Sequence, residues 1–88
     1  MQIIKKDGTL EQYDEQKIIN ACNKAARRAM VELLDKDYQI ICNAVWSKLV
    51  ENDLEDTEIY EMHNIVEAVL EEHYPLVAKM YKEYRNYK

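Results

Sequence analysis

Three lysines near the N-terminus have the charge and spacing to hold an anion. Lys5 and Lys6 precede a predicted hairpin turn, and Lys17 takes the third position of a helix whose N-cap we expect to be Asp14. The helix dipole makes a cation at this position unfavourable by about 0.3–1 kcal/mol. Lys17 is therefore either an ordinary surface lysine or a supplement to the helix N-terminus in anion binding.

Two carboxylates and two isoleucines accompany these lysines. Glu11 and Asp14 can accept hydrogen bonds from an amino group or from ribose hydroxyls, and they would repel phosphate. Ile3 and Ile18 could add an apolar wall. Cations, acceptors and an apolar wall together describe a nucleotide site, although spacing alone supports it weakly and solvated charges are the alternative.

Catalytic chemistry is not expected of this chain alone. With 88 residues, most of the core is used up by the fold itself. Ser47 falls within a predicted helix, and no base is placed beside Cys22 or Cys42. Since two cysteines form no disulfide framework, we expect reduced thiols and a cytoplasmic location.

The histidines make a poor metal site. His63 and Glu67 share a helix face, but His73 falls on a different face of the same helix. We expect no metal bound by protein side chains, and His63 could simply flank the apolar stripe of its helix.

Charge is distributed unevenly along the chain, whose net charge is −5. Residues 1–30 and 76–88 are basic on balance, whereas residues 31–75 carry twelve carboxylates against two lysines. If the basic ends meet, they suit a compact anion, and the acidic middle would repel a long nucleic acid. No apolar run reaches the roughly 20 residues of a membrane-spanning helix, so we expect no membrane partner.

The pattern predicts an α+β fold in one domain, residues 1–88: a β-hairpin packed on a four-helix bundle. Residues 2–6 and 9–13 read as strands joined by a type I′ turn at Asp7-Gly8. Residues 57–59 are either a brief third strand or the start of the third helix. Pro75 suits the first turn of the fourth helix.

Apolar residues recur at helical spacing in all four predicted helices, the second of which spans about 36–52. The predicted inward-facing residues are Ile18, Cys22, Ala25, Ala26, Ala29, Met30, Leu33, Tyr38, Ile41, Val45, Trp46, Leu49, Val50, Met62, Ile65, Val66, Val69, Leu70, Val77, Met80, Tyr81 and Tyr84. We expect Lys79, Lys82, Glu83 and Asn86 to face outward.

Two segments resemble the ATP-cone family. Residues 3–8 read Ile-Ile-Lys-Lys-Asp-Gly, followed by Glu11 and by Tyr-Asp-Glu-Gln-Lys-Ile at 13–18. The ending is similar too, with Val-Glu-Ala-Val-Leu at 66–70 and Val-Ala-Lys at 77–79. Lys6 stands where Arg is more usual, which keeps the charge but loses a bidentate fork.

The resemblance implies a regulatory domain that binds ATP or dATP, usually with Mg²⁺, and sets the overall activity of a ribonucleotide reductase. ATP would leave the enzyme active, and dATP would inhibit it by changing subunit association. By matching position, Lys5 and Lys6 would hold phosphates and Glu11 and Asp14 would read adenine. The other implied contacts are Lys17 at ribose or phosphate, Ile3 and Ile18 at the base, His63 near sugar and phosphates, Glu61 in telling dATP from ATP, and Arg85 or Lys88 at the phosphates.

The predicted turn conflicts with the roles assigned to Lys5 and Glu11. A strict two-residue turn would put Lys5 and Glu11 on opposite faces of the hairpin. Either the turn is longer or one of the two residues is misassigned.

The C-terminal residues look most like cones of anaerobic ribonucleoside-triphosphate reductases. We therefore expect a regulatory fragment whose partners are the rest of the catalytic subunit and other reductase subunits. The alternatives are the ATP cone of a reductase-gene transcriptional regulator, disfavoured because no zinc ribbon precedes Met1, and a helical protein-interaction module without a ligand.

Overall fold

The chain folds into a small sheet covered by helices, in the α+β arrangement expected from the sequence. This computed structural model describes residues 2–51 and 56–86, without the side chains of residues 84–86. The elements in chain order are β1 Gln2–Ile4, β2 Leu10–Gln12, α1 Glu15–Arg28, α2 Asp35–Glu51, β3 Thr57–Glu58, α3 Ile59–His73 and α4 Pro75–Asn86.

The hairpin is antiparallel and places Ile3 of β1 opposite Glu11 of β2. Its loop is longer than predicted. The Lys5 N–H donates to the Thr9 carbonyl at 2.8 Å, and the Gly8 N–H donates to the Lys5 carbonyl at 2.9 Å. This longer loop resolves the conflict noted above, since Lys5 and Glu11 can now share a face.

The type I′ turn predicted at Asp7-Gly8 is wrong. Gly8 has a φ of 85°, but Asp7 stays at negative φ, which matches a turn followed by one left-handed residue. The reason is the Asp7 carboxylate, which accepts from the Thr9 N–H at 3.0 Å and from the Thr9 hydroxyl at 2.6 Å. These bonds, led by the one from the hydroxyl, lower the pKa of Asp7.

Strand β1 is central in the sheet, whose order is β2-β1-β3. Strand β3 runs parallel to β1, with Ile3 beside Thr57 and Ile4 beside Glu58. Both alternatives for residues 57–59 are thus realised, because the strand ends at Glu58 and α3 begins at Ile59. The start of α3 is thereby held next to the end of β1.

Asp14 caps α1, as predicted. Its carboxylate accepts from the Gln16 N–H at 2.9 Å, which satisfies one of the free N–H groups of the first helical turn. Pro75 is the first residue of α4, also as predicted. At the junction before it, the Tyr74 hydroxyl donates to Asp37 of α2 at 2.8 Å.

The core lies between the sheet and the helices, and α4 packs against both α1 and α3. The buried members of the core are Ile3, Ile18, Cys22, Ala25, Ala26, Ile41, Val45, Leu49, Met62, Ile65, Val66, Val69, Leu70, Val77, Ala78 and Tyr81. In the described part of the chain, none of the helices is both long enough and apolar enough to cross a membrane.

Three predicted core residues are exposed instead. Met30 is 94% exposed because α1 ends at Arg28 and the helical period no longer applies beyond it. Trp46 and Val50 are 42% and 47% exposed, since the buried line of α2 runs through other residues. The Trp46 ring instead lies 5.5 Å from the ring of Tyr13. Tyr84 belongs to the side chains that are not described.

Helix α1 ends in a Schellman motif in which Met30 takes the left-handed position that glycine usually occupies. The Val31 N–H donates to the Ala26 carbonyl and the Met30 N–H to the Arg27 carbonyl, the two bonds that define this motif. Met30 has a φ of 58°, a conformation that costs an L-residue about 1–2 kcal/mol.

Met30→Gly should therefore stabilise the protein by about 0.5–1 kcal/mol, the strain relieved minus the extra chain entropy of glycine. Little packing is lost, because Met30 is 94% exposed. The measurement is the free energy of unfolding from urea denaturation. Lys24→Gly, at an exposed position inside α1, is the matched control and should destabilise by about 0.5–1 kcal/mol. Equal destabilisation by both changes would contradict the assignment of backbone strain to Met30.

Candidate functional site

The hairpin turn is held against the first turn of α3. Strand β3 lies beside β1 and leads directly into α3, which brings Tyr60 close to the hairpin turn. The Nζ of Lys6 indeed lies 5.7 Å from the centroid of the Tyr60 ring, within the range of a cation–π interaction. Lys5 and Lys6 are both exposed, so this end of the sheet presents two ammonium groups, and that of Lys6 lies beside an aromatic ring.

Carboxylates lie on β2 and just after it. Glu11 and Lys17 form an ion pair between β2 and the first turn of α1. The Lys17 side chain is 62% exposed and that of Glu11 24%. Asp14 lies two residues after this strand and is exposed, with one oxygen engaged in the helix cap. Acceptors for amino or hydroxyl groups therefore lie beside a lysine that can move.

These groups follow one another along the hairpin. Strand β1 is three residues long, so its ends are about 7 Å apart at 3.3 Å per residue. The turn lysines extend beyond one end, Glu11 lies opposite Ile3 in the middle of the strand, and Asp14 lies past the other end. An elongated ligand with an anionic end and a hydrogen-bonding end fits this arrangement.

His63 lies one turn beyond Tyr60 on α3. Its Nδ1 is 2.9 Å from the hydroxyl oxygen of Tyr81 on α4, and the two ring centroids are 6.3 Å apart. Glu61 is exposed, and residues two apart on a helix are separated by about 200°. The structure thus separates Glu61 from His63 instead of bringing them to one face.

The remaining predicted site residues are less open. Ile3 and Ile18 are only 6% and 7% exposed and belong to the core, so they support the hairpin from beneath. Their role beside a base stays a prediction. Lys88 lies outside the described residues, and so does the side chain of Arg85.

Sequence reasoning missed two tyrosines. Tyr60 is 53% exposed, and its signal is that it falls outside the apolar stripe of α3, which begins at Met62. Tyr81 was expected only to fill the core, and it is buried at 3% exposure. No periodicity reveals that its hydroxyl reaches a histidine on another helix.

Protein side chains offer no metal cage in the described residues: no three His, Cys, Asp or Glu residues come together there in a way that could hold an ion. The two cysteines are also held as neutral thiols. Burial raises the pKa of Cys22 to about 12 and that of Cys42 to about 11. Both thiols are free and protonated at neutral pH.

Comparison with known proteins decides the family. The family model described as "ATP cone domain" matches residues 1–88, the whole chain. The chain belongs to the ATP-cone family. An anaerobic ribonucleoside-triphosphate reductase of Haemophilus influenzae (strain ATCC 51907 / DSM 11121 / KW20 / Rd) is 34% identical over 86 residues. That alignment covers 96% of this chain and 12% of the reductase.

Membership of the family indicates which kind of ligand this geometry suits. ATP-cone domains bind ATP or dATP as allosteric effectors, and a nucleoside triphosphate has an anionic end and a hydrogen-bonding base. The resemblance seen in the sequence is thereby confirmed. The roles of the individual residues of this ATP cone stay predictions.

Because both cysteines are buried and protonated at pH 8, the native ATP cone should react slowly with Ellman's reagent. At three pH units below the pKa of Cys42, only about one thiol in a thousand is ionised. Ser47→Cys, at an exposed position on α2, is the control and should add one rapidly labelled thiol. Two equivalents labelled in the native wild type as fast as that control would contradict the burial. Unfolding in guanidinium should release both native thiols.

Proposed function

We propose that this ATP cone binds ATP or dATP across the hairpin and regulates the overall activity of a ribonucleotide reductase. The triphosphate lies toward Lys5 and Lys6, and the adenine toward Glu11 and Asp14. Lys17, which pairs with Glu11 in the free protein, contacts ribose or phosphate. Arg85 or Lys88 completes the phosphate contacts, and His63 lies near the sugar.

The separation of charge along the hairpin is the observation that carries this proposal. Exposed lysines lie beyond one end of β1, whereas the acceptor Glu11 lies opposite its middle residue and Asp14 past its other end. A nucleoside triphosphate carries its charge at one end and its exocyclic amino group at the other. Both ends of the ligand therefore meet groups of complementary chemistry.

The Glu11–Lys17 ion pair is weak enough for a ligand to rearrange. Exposed pairs contribute about 0–1 kcal/mol, whereas a hydrogen bond to a charged group contributes about 1.5–3 kcal/mol. A phosphate or ribose oxygen can thus recruit Lys17 at little cost. Release of Lys17 frees Glu11 to accept from the amino group of adenine.

Mg²⁺ fits this site only as part of the nucleotide. No protein cage for it exists among the described residues, and Mg²⁺ is usually bound through phosphates, waters and one or two carboxylates. The triphosphate would therefore bring its own ion. The protein's lysines would contact the phosphate oxygens that the ion leaves open.

The relative from Haemophilus influenzae favours the anaerobic ribonucleoside-triphosphate reductases as the host enzyme class. The partners are then the rest of the catalytic subunit and other reductase subunits, and the two free, buried thiols fit the reducing cytoplasm. A difference between ATP and dATP requires a contact with the 2′-hydroxyl. His63 or Glu61 on α3 provides it.

Lys17→Ala should weaken ATP binding at least about tenfold, because it removes a charge-assisted hydrogen bond of about 1.5–3 kcal/mol. Isothermal titration calorimetry measures the dissociation constant. Lys24→Ala is the matched control: it makes the same charge change two turns further along α1 and should leave ATP affinity within about twofold. The melting temperature of the free Lys17→Ala protein should barely change, since its ion pair is exposed. Equal ATP affinity in Lys17→Ala and the wild type would make Lys17 a surface residue only.

GTP should bind at least about tenfold more weakly than ATP, because guanine has a carbonyl oxygen where adenine has its amino group. A carboxylate facing that oxygen leaves an acceptor unpaired, at a cost of about 1–3 kcal/mol. Competition titration measures the ratio. Equal affinities for ATP and GTP would contradict the proposal that Glu11 or Asp14 contacts the base.

A thermal melt separates this function from that of a ligand-free helical interaction module. Saturation at about 100 times the dissociation constant stabilises the bound protein by about 2.7 kcal/mol. An unchanged melting temperature at millimolar Mg-ATP would favour the interaction module.

A further inference from the structure

A cation–π contact joins the hairpin turn to the first turn of α3. The Nζ of Lys6 lies 5.7 Å from the centroid of the Tyr60 ring, and Tyr60 is 53% exposed. Both residues follow paired strand positions, because Lys6 comes two residues after Ile4 of β1 and Tyr60 two residues after Glu58 of β3. The sheet therefore joins the backbones that carry the ammonium group and the ring.

The contact leaves the charge of Lys6 uncompensated. A carboxylate partner neutralises an ammonium group, as Glu11 does for Lys17. Among the described residues, Lys6 forms no such ion pair, and the carboxylate of neighbouring Asp7 accepts from Thr9 instead. An aromatic ring attracts a cation through its quadrupole and carries no net charge. Lys6 is thus held in place without losing its attraction for an anion.

The side chain of Lys6 is the part of the turn that has most freedom to lose. Hydrogen bonds from the Lys5 N–H to the Thr9 carbonyl and from the Gly8 N–H to the Lys5 carbonyl enclose the backbone of Lys6. Its flexible four-carbon stem must still give up rotamer freedom when the ammonium group binds an anion. Contact with the Tyr60 ring removes part of that freedom before a ligand arrives, which favours binding.

We infer that Tyr60 is a positioning residue, which holds the uncompensated Lys6 ammonium group ready for the phosphate end of the ligand. The ring meets the ammonium group from one side, and both side chains are exposed. N–H donors of Lys6 therefore remain for phosphate oxygens. This inference rests on the proposed nucleotide function and deepens it, because it explains how a lysine in a turn is prepared for a phosphate group.

Two substitutions at position 60 separate the aromatic face from the bulk of the side chain. Tyr60→Leu removes the face but keeps an apolar residue that suits a helix. Tyr60→Phe is the matched control, because it removes only the hydroxyl and keeps the face. Both variants are first checked for wild-type amide spectra, which report that the fold is intact.

Proton NMR of the free protein detects the contact directly. Protons above an aromatic ring are shifted upfield by its ring current, so the Hε protons of Lys6 should lie upfield of those of Lys5, the internal reference. Tyr60→Leu should return the Lys6 protons to the Lys5 position, and Tyr60→Phe should keep them upfield. Lys6 protons that match those of Lys5 in the wild type, or that do not respond to Tyr60→Leu, overturn the inference.

Calorimetric titration with Mg-ATP then tests whether the ring acts through Lys6. A contact that exists before binding can strengthen binding by no more than its own free energy. Tyr60→Leu should therefore weaken binding about two- to fivefold, the range of an exposed cation–π contact, and Tyr60→Phe should restore most of the loss. In a Lys6→Ala background, Tyr60→Leu should have no further effect. Unchanged or tighter binding by Tyr60→Leu, or an equal loss in both backgrounds, overturns the positioning role.

Inorganic triphosphate separates this inference from the proposed function, because it carries the anionic end of ATP without sugar or base. Tyr60→Leu should weaken its binding by the same factor as that of ATP. If the wild type binds inorganic triphosphate but not ATP, the proposed function fails, and the comparison of the variants still judges Tyr60. If the wild type binds both and Tyr60→Leu weakens neither, the inference alone fails. If the wild type binds neither, both fail.

Discussion

The three residues of β1 set the position of everything around them, because this strand is hydrogen-bonded on both edges. Its antiparallel partner β2 leads into α1, and its parallel partner β3 leads into α3. One strand thereby fixes where two helices begin. Ile3, its central residue, is buried and joins the sheet to the core, so a slip of one residue would expose Ile3 and move both helix starts.

This arrangement brings the residues of the proposed nucleotide site together on one small sheet and the helices beside it. In that proposal, the hairpin turn contributes lysines, β2 and the cap of α1 contribute carboxylates, and the start of α3 contributes Tyr60 and His63. Each group is exposed or partly buried and lies on a short, hydrogen-bonded element. The core beneath is left to apolar residues: no polar or charged residue in the described part of the chain is buried.

Much of the fold could be predicted because it depends on local signals. Asp14 as a helix cap, Pro75 in a first turn and the buried stripes of α1 and α3 all follow from helical periodicity and capping chemistry. The turn type was wrong because the side-chain bonds of Asp7 to Thr9 were not anticipated. Trp46 and Val50 were misplaced since periodicity cannot tell which of two apolar stripes on α2 meets its neighbours.

The candidate site divides in the same way. Lys6 and Lys17 could be singled out from charge, and their neighbours from resemblance to the family. The contacts of Lys6 with Tyr60 and of His63 with Tyr81 join residues more than fifteen positions apart. Such pairs depend on how β3 and α4 pack, which no local pattern contains. Tyr60 and Tyr81 therefore emerged only from the structure.

The central claim is that the hairpin, the first turn of α1 and the first two turns of α3 form one nucleotide site. Amide chemical-shift mapping during a titration with Mg-ATP tests it most directly. The account predicts saturable shifts concentrated in residues 5–18 and 59–67, with the exposed face of α2 around Asn43 and Ser47 unaffected. Shifts concentrated on α2, or no shifts at saturating Mg-ATP, would contradict it.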